Sequence, residues 1–205
     1  GHFGFFDSVD DDAVAAALFA AAEGWLAEQG ISRITGPFSL TINEESGLLI
    51  RGFDHPPSMM MGHALPYYAS LIERCGYQKA RDLLAYWIPV DDFCFTGAMQ
   101  RLMARERSRI TIRKLNRRHF DEELMTLRDI FNDAWGENWG FVPFTEAEFR
   151  ELGNNLKLLL ADDMIQIAEY QGEAVAFIIG MPNINEAIAP LKGRLLPFGW
   201  LRLLW

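Results

Sequence analysis

The sequence is poor in cysteine and in positive charge, and it lacks an apolar run long enough to span a bilayer. Its two cysteines, Cys75 and Cys94, match no metal-ligand spacing, so we expect a reduced, cytoplasmic protein without a metal site. Lysine and arginine number 19 against 28 acidic residues, which gives a formal net charge of −9. That balance argues against nucleic acid or a membrane as a partner.

Apolar residues are abundant by contrast. They make up 50% of the 205 residues, which is enough to bury one large core or two small ones. The chain starts at Gly1 without an initiator methionine and ends in the apolar stretch 195–205. We therefore expect a piece of a longer protein.

Positive charge is concentrated in one segment. Residues 100–118 hold 8 basic residues and 1 acidic residue, whereas the segments on either side are acidic. A charge run of this kind is typical of a solvated helix surface or a linker. We predict a basic linker over 100–118 that divides the chain into residues 1–99 and 119–205, the latter together with a strand at 110–115.

The first half predicts strands and helices in alternation. A capping serine and acidic residues at 8–12 indicate a helix start, and Val14, Leu18, Trp25 and Leu26 recur at helical spacing before Gly30. Pro66 indicates a second helix, which runs to about Arg74. The predicted strands of this half are Phe3–Phe6, Ile31–Thr35, Asp82–Ile88 and Asp92–Phe95.

The second half carries clearer signals. A strand over residues 110–113 precedes a helix over about 121–134, and Thr145 with Glu148 forms a capping-box pattern for a helix that runs to about Leu160. Residues 165–170 and 174–179 are predicted strands, and Gln171-Gly172 between them predicts a tight hairpin.

This order of elements resembles the GNAT superfamily of acyl-CoA N-acyltransferases. The segment Leu71-Ile72-Glu73-Arg74-Cys75-Gly76-Tyr77 is similar to that family's helix-to-strand signature. The stretch from Gly36-Pro37-Phe38 through Asn43-Glu44-Glu45-Ser46-Gly47 to Pro66-Tyr67-Tyr68 resembles bacterial proteins with two GNAT-like domains in tandem.

The resemblance implies an α+β fold in three layers, with a mixed, mostly antiparallel sheet flanked by helices. Residues 1–99 correspond to the closing half of one GNAT-like domain, with four strands and two helices. Residues 119–205, with the strand at 110–115, correspond to the opening half of the next domain. Because the halves together supply each element once, we expect residues 3–6 to pair with residues 174–179, within one chain or across a homodimer. The result would be a circularly permuted sheet.

The resemblance also implies acetyl-CoA as the cofactor of the parent family, held on backbone N–H groups of a glycine-rich helix start. Here the matching junction, residues 6–13, has no glycine and carries four carboxylates, which compete for the N–H groups and repel phosphate. We therefore expect no acyl-CoA bound to this segment and assign no cofactor-binding residue.

Two residues are catalytic candidates on the same resemblance. Ile72 occupies the position of the family's general-acid tyrosine and cannot carry a proton, but Tyr68 lies one turn earlier on the same helix face. In the loop at 43–45, Glu44 can act as a base and Asn43 can bind substrate, although turn chemistry also accounts for both.

Trp135 and Trp139 follow the first helix of the second half, where GNAT folds admit the acceptor, so they are predicted to bind substrate, with core packing as the alternative. The expected function is that of an N-acetyltransferase, which transfers an acyl group from acyl-CoA to a small-molecule amine. The segment alone is expected to be inactive. The alternative is a non-catalytic module that binds a small molecule or a protein on a degenerate GNAT fold.

Overall fold

The fold is α+β in this computed structural model, which describes residues 1–89, 91, 94–157 and 159–203. The described α-helices are Asp12–Glu28 (α1), Tyr68–Arg74 (α2), Gly97–Glu106 (α3), Phe120–Trp135 (α4), Glu146–Leu156 (α5) and Ile184–Ile188 (α6). The described strands are Phe38–Ser39 (β1), Glu45–Ser46 (β2), Ile110–Lys114 (β3), Ile165–Tyr170 (β4) and Glu173–Ile179 (β5). None of the helices in the described part of the chain has both the length and the apolar character needed to cross a bilayer.

The chain divides into two compact units. The first contains residues 1–84 and 183–205, and the second contains residues 85–182. The first unit is therefore built from both ends of the chain.

The first unit is organised around the contact between α1 and α2. The buried face of α1 carries Ala15, Phe19 and Leu26, and the buried face of α2 carries Leu71 and Ile72. Burial of each large apolar side chain contributes about 1.5–3 kcal/mol. Of the residues named for the helical pattern of α1, Leu26 is buried, whereas Val14, Leu18 and Trp25 are exposed.

Aromatic rings extend this core toward the start of the chain. The ring centroid of Phe19 lies 5.1 Å from that of Phe3, 5.2 Å from that of Phe6 and 4.7 Å from that of Tyr77. The segment before α1 is thereby packed onto both helices, which places Asp7 and Ser8 beside the start of α2.

The second unit places α4 and α5 against a three-stranded antiparallel sheet of order β3-β4-β5. Its core contains Leu115, Leu124, Leu127, Phe149, Leu160, Ile165 and Ile167. Gln171 and Gly172 have φ values of 54° and 86°, the left-handed conformation that a two-residue hairpin needs. The predicted helix starts, both strands of the hairpin and its turn are confirmed in this unit.

Three of the four predicted strands of the first half are wrong. Within the described residues, the segments 3–6, 31–35 and 82–88 contribute only an isolated parallel bridge between His2 and Thr35. Phe5 has a φ of 49°, which interrupts an extended backbone in the middle of the first segment. The prediction at Asp92–Phe95 falls partly on residues 92 and 93, which lie outside the described residues.

The predicted sheet joining residues 3–6 to residues 174–179 within one chain is also wrong. Among the described residues, the sheet that contains β5 consists of β3, β4 and β5 alone, and residues 3–6 form no strand. The version of this pairing across a homodimer stays a prediction.

Candidate functional site

An open cleft of about 510 Å³ lies in the first unit. Its walls come from the segment before α1, the β1–β2 ribbon, residues 62–65 and the first turn of α2. The side chains that bear chemistry in this cleft are Asp7, Ser39, Glu45, His63 and Tyr68. The rest of the lining is largely apolar and includes Phe5, Phe6, Leu48 and Leu65. The cleft therefore combines ionisable groups with surface that suits a hydrocarbon.

Tyr68 is the most buried of these groups, with 5% of its surface exposed. Its hydroxyl donates a hydrogen bond to Oδ1 of Asp7 and accepts a hydrogen bond from the Ser8 backbone N–H at 3.3 Å. The hydrogen bond to Asp7 raises the pKa of Tyr68 above its ordinary value, and burial raises that pKa further. The phenol is therefore a neutral proton donor in contact with a carboxylate.

The neighbouring tyrosine completes the attachment of Asp7 and Ser8 to α2. The Tyr67 hydroxyl donates to the Ser8 carbonyl at 2.8 Å, and the two tyrosine rings lie 5.1 Å apart. Both main-chain polar groups of Ser8 are thus bonded to tyrosine hydroxyls. These contacts hold the backbone of Ser8 beside Tyr68. Because Asp7 precedes Ser8 in the chain, its carboxylate is held close to the Tyr68 hydroxyl.

At the start of α1, acidic side chains bind the helix N–H groups and a neighbouring arginine. The Asp11 carboxylate caps α1 and accepts hydrogen bonds from the N–H groups of Ala13 at 2.8 Å and Val14 at 3.3 Å. Asp12 pairs with Arg74 at 2.6 Å. A carboxylate of the protein therefore takes the donors that a phosphate would need. This supports the prediction that the junction holds no acyl-CoA, which stays a prediction.

The predicted residues of the loop at 43–45 lie beside the cleft, but a different carboxylate lines it. Oε2 of Glu44 accepts a hydrogen bond from the Thr41 N–H at 2.9 Å, and the Asn43 N–H donates to the Thr41 hydroxyl at 3.2 Å. These contacts close a turn between β1 and β2. Glu45, the first residue of β2, lines the cleft instead.

Trp135 and Trp139 belong to the second unit, whereas Tyr68, Asn43 and Glu44 belong to the first. Trp135 is the last residue of α4 and stacks on Phe131 with a centroid distance of 5.6 Å. It remains 49% exposed, and Trp139 is 37% exposed. Each tryptophan thus keeps a surface on which a ligand can pack, and their role in substrate binding stays a prediction.

The second unit contains a small cavity of its own. It measures about 50 Å³ and lies among apolar side chains of α4 and α5, including Leu124 and Phe149. The space is of the order of one or two water molecules. Its lining is mostly apolar and also includes the charged residues Arg117, Lys157 and Asp162.

In the described part of the chain, no histidine lies in a cluster that could hold a metal ion. His55 lies 3.7 Å from the Asp54 carboxylate, and both side chains are more than 80% exposed. The structure shows no group of three or more histidine, cysteine, aspartate or glutamate side chains placed to hold a metal ion, as far as the described residues extend.

Sequence reasoning missed Asp7 as the partner of Tyr68. The two residues are 61 positions apart, and the sequence around Asp7 indicates only a helix start. Ser8 was missed as well, because its main chain rather than its side chain makes the contacts to the tyrosines. A general signal was available in the cluster of acidic residues at 7–12, which the sequence analysis used to indicate a helix start and to argue against phosphate.

Two known proteins are similar to this chain over all 205 of its residues. The chain is 58% identical to Protein YghO of Escherichia coli (strain K12) and 46% identical to a bacterial ceramide synthase of Caulobacter vibrioides (strain NA1000 / CB15N). In each case the match covers 53% of the relative, so the chain spans about half the length of these curated relatives. No family profile matches the chain, and no solved structure matches it.

Proposed function

We propose that this chain is part of an N-acyltransferase that joins a fatty acyl group to the amine of a long-chain amino alcohol. The observation that carries the proposal is the 46% identity, over the whole chain, to a protein named as a bacterial ceramide synthase. A ceramide is the amide of a fatty acid and a long-chain amino alcohol. The name therefore specifies amide formation, the same reaction type that the resemblance to N-acyltransferases implies.

The cleft of the first unit supports this assignment through its chemistry. Its apolar residues suit an alkyl chain, and Asp7 and Glu45 give it negative charge that favours a protonated amine. Its lining contains no lysine or arginine among the described residues. The cleft is therefore better suited to the amine substrate than to the phosphates of an acyl-CoA.

In the proposed reaction, the bound ammonium first releases one proton to solvent through the open cleft, and the neutral amine then attacks the carbonyl carbon of an acyl thioester. The C–N bond forms, the C–S bond breaks, the nitrogen loses one proton and the departing thiolate gains one. Asp7 accepts the amine proton, and Tyr68 supplies the proton for the thiolate and recovers one from Asp7 across their hydrogen bond. Asp7 and Tyr68 thus act as one proton-transfer pair, which we call the Asp7–Tyr68 pair.

Because the chain is half of its relatives' length, the activity is proposed for the whole protein. The acyl donor is expected to bind outside these residues, since Asp11 already caps the helix start that would meet a pyrophosphate. The assignment to the GNAT superfamily stays a prediction. We also place the protein in the cytoplasm, because Cys75 and Cys94 are both free thiols.

The proposal is tested with the full-length protein, a long-chain acyl-CoA and a long-chain amino alcohol, with the N-acyl product measured by mass spectrometry. Tyr68→Phe and Asp7→Asn are each expected to lower kcat by roughly 10²–10⁴-fold, the usual contribution of a positioned acid or base. The double variant is expected to lose no more than the worse single variant, because the two residues act together.

Tyr77→Phe is the matched control. Tyr77 also donates from a phenol to a carboxylate, Glu23 at 2.9 Å, but it does not line the cleft. The kcat of the Tyr77→Phe variant should stay near that of the parent protein. Formation of the amide at the parent rate by Tyr68→Phe would refute the role of the pair. Absence of amide from the parent protein, together with tight binding of the amino alcohol, would favour a non-catalytic binding module.

A further inference from the structure

After α6, the last α-helix described in the first unit, the sequence contains basic residues and no acidic ones. Glu186 is the final acidic residue of the sequence, and Lys192, Arg194 and Arg202 come after it. Lys192 and Arg194 are exposed, and neither forms an ion pair with a residue that the structure describes. In a chain of net charge −9, these residues form a local basic segment.

The same segment exposes large apolar side chains. Leu196 is 80% exposed and Phe198 is 72% exposed, and Leu195, Trp200 and Leu201 are each between 45% and 50% exposed. Apolar residues scattered singly over a surface need no explanation, but here five of seven consecutive residues are apolar and exposed. We call residues 192–202 the basic-apolar segment.

Local hydrogen bonds satisfy the polar groups beside these apolar side chains. The Trp200 indole N–H donates to the Pro197 carbonyl at 2.9 Å, and the Trp200 backbone N–H donates to the Leu195 carbonyl at 3.0 Å. The Leu201 N–H donates to the Phe198 carbonyl at 3.1 Å. An unbonded polar group costs several kcal/mol on entering hydrocarbon, so these bonds lower the cost of moving the turn into an apolar phase.

We propose that the basic-apolar segment docks on an anionic lipid surface. Leu196, Phe198 and Trp200 enter the boundary between headgroups and acyl chains, where tryptophan is favoured. Lys192 and Arg194 flank them and bind lipid phosphates through their charge. Charge complementarity favours an anionic lipid over the apolar interior of a longer protein, which supplies no phosphate for Lys192 and Arg194. A second copy of this acidic chain also offers negative charge, and the measurement of the oligomeric state distinguishes it.

The proposal differs from the expectation, drawn from net charge, that the protein has no membrane partner. Net charge describes the field of the whole molecule, whereas a surface within one Debye length of the segment, about 10 Å, responds to the local cations. The docking does not rest on the proposed acyl transfer, and either idea can fail without the other.

Co-sedimentation of the full-length protein with lipid vesicles tests the docking. The vesicles contain equal amounts of phosphatidylglycerol and phosphatidylcholine, or phosphatidylcholine alone. The protein is expected to sediment with the anionic vesicles, less at high salt, and weakly with the neutral ones. The double variant Lys192→Gln/Arg194→Gln should bind about 30-fold more weakly, because two cations are removed from the surface. Leu196→Ser/Phe198→Ser should bind at least roughly tenfold more weakly.

Matched controls replace the same kinds of exposed side chain, cationic or apolar, elsewhere in the first unit. Arg33→Gln/Arg51→Gln removes two exposed cations, and Ile50→Ser/Met61→Ser removes two exposed apolar side chains. Both should bind like the parent, and circular dichroism confirms that each variant is folded. Equal loss in the control and segment variants would overturn the proposal, as would failure of the parent to sediment with anionic vesicles. It is also overturned if the segment variants change the oligomeric state in solution without changing vesicle binding.

Discussion

At the residue scale, the Asp7–Tyr68 pair joins two positions that neither sequence spacing nor helix periodicity connects. Phe6 and Tyr68 pack with their ring centroids 5.2 Å apart, and Phe6 also packs on Phe19 of α1. Aromatic contacts thus bring the segment before α1 onto α2, and the hydrogen bonds to Asp7 and Ser8 then fix its register. The proton-transfer chemistry proposed for the cleft depends on this packing.

Substitution of Tyr68 by phenylalanine is expected to change how stability depends on pH. The pKa of Tyr68 in the folded chain is raised above the ordinary value of 10.0, so folding is favoured while the phenol is protonated in both states. The stabilisation is complete below pH 10.0 and is lost as the pH rises toward the folded-state pKa. Tyr68→Phe has no such group, so its stability should fall less steeply in that range.

Urea unfolding on either side of pH 10 measures this difference. Tyr77 also has a raised pKa, because of burial and its hydrogen bond to Glu23, so some alkaline loss of stability remains in the variant. Identical pH dependence in the parent and in Tyr68→Phe would show that the phenol is not held as described.

The structure places the predicted residue Tyr68 in the cleft, and its catalytic role stays a prediction. Tyr68 was identified through the family resemblance and a one-turn shift on α2, but its partner required the tertiary structure. In the loop at 43–45 the sequence could not distinguish Glu44 from Glu45. Glu44 lies in the turn, where its carboxylate accepts from the Thr41 N–H, whereas Glu45 pairs with Ser39 in the ribbon and lines the cleft with it.

At the element scale, the start of α5 shows a local signal that determines its own structure. The Thr145 hydroxyl accepts from the Glu148 N–H at 3.3 Å, while Oε2 of Glu148 accepts from the Thr145 N–H at 2.8 Å. These bonds lower the pKa of Glu148. The contribution of this carboxylate to stability is therefore present above its unfolded pKa and lost as the pH falls through its folded pKa.

Thr145→Ala is expected to destabilise the chain by about 1 kcal/mol, the usual cost of losing an N-cap side chain. The variant should also lose part of the acid sensitivity that Glu148 contributes. Thr126→Ala is the control, since the Thr126 hydroxyl only bonds back to the Glu122 carbonyl at 3.1 Å within α4. Thermal unfolding of the two variants at neutral and at acid pH measures the loss of stability and the change in acid sensitivity. Equal effects of the two substitutions would contradict the capping role.

Several elements with local signals were predicted, although α3, which the Thr96 side chain caps, overlaps the segment expected to be a basic linker. The hairpin of β4 and β5 is specified by its turn, and α5 by its cap, so both follow from neighbouring residues. The apolar segment 82–88 has strand-like composition, but Leu84, Tyr86 and Trp87 are each more than 70% exposed. An extended segment becomes a strand only when another strand bonds to it, and composition does not supply that information.

At the scale of the whole molecule, the chain leaves the first unit at residue 84 and returns to it at residue 183. A side-chain contact accompanies this return, because Asn185 donates to the Pro57 carbonyl at 2.8 Å. Charge composition indicated a boundary at 100–118, and the domain assignment drawn from it stays a prediction. A linear reading of composition divides a chain into consecutive pieces, so it has no means of assigning both ends to one unit.

Solubility should reflect the balance between net charge and exposed apolar surface. The sequence pI is about 4.9, where net repulsion between molecules disappears. The chain is expected to be most turbid near that pH, and Leu196→Ser/Phe198→Ser should reduce the turbidity because it removes two strongly exposed apolar side chains. Light scattering across the acid range measures both effects. Turbidity that is independent of pH would contradict this expectation.

The attachment of Ser8 to two tyrosines has an evolutionary consequence. Tyr67 and Tyr68 bond to the carbonyl and the N–H of Ser8, groups that nearly every amino acid possesses. Selection for this attachment therefore acts on the identities of positions 67 and 68, and on position 8 only through side-chain size, since that residue is buried. A substitution at position 8 demands no compensating substitution at the tyrosines. Position 8 and positions 67 and 68 can therefore change independently in evolution. Correlated substitutions among related sequences would not reveal this contact.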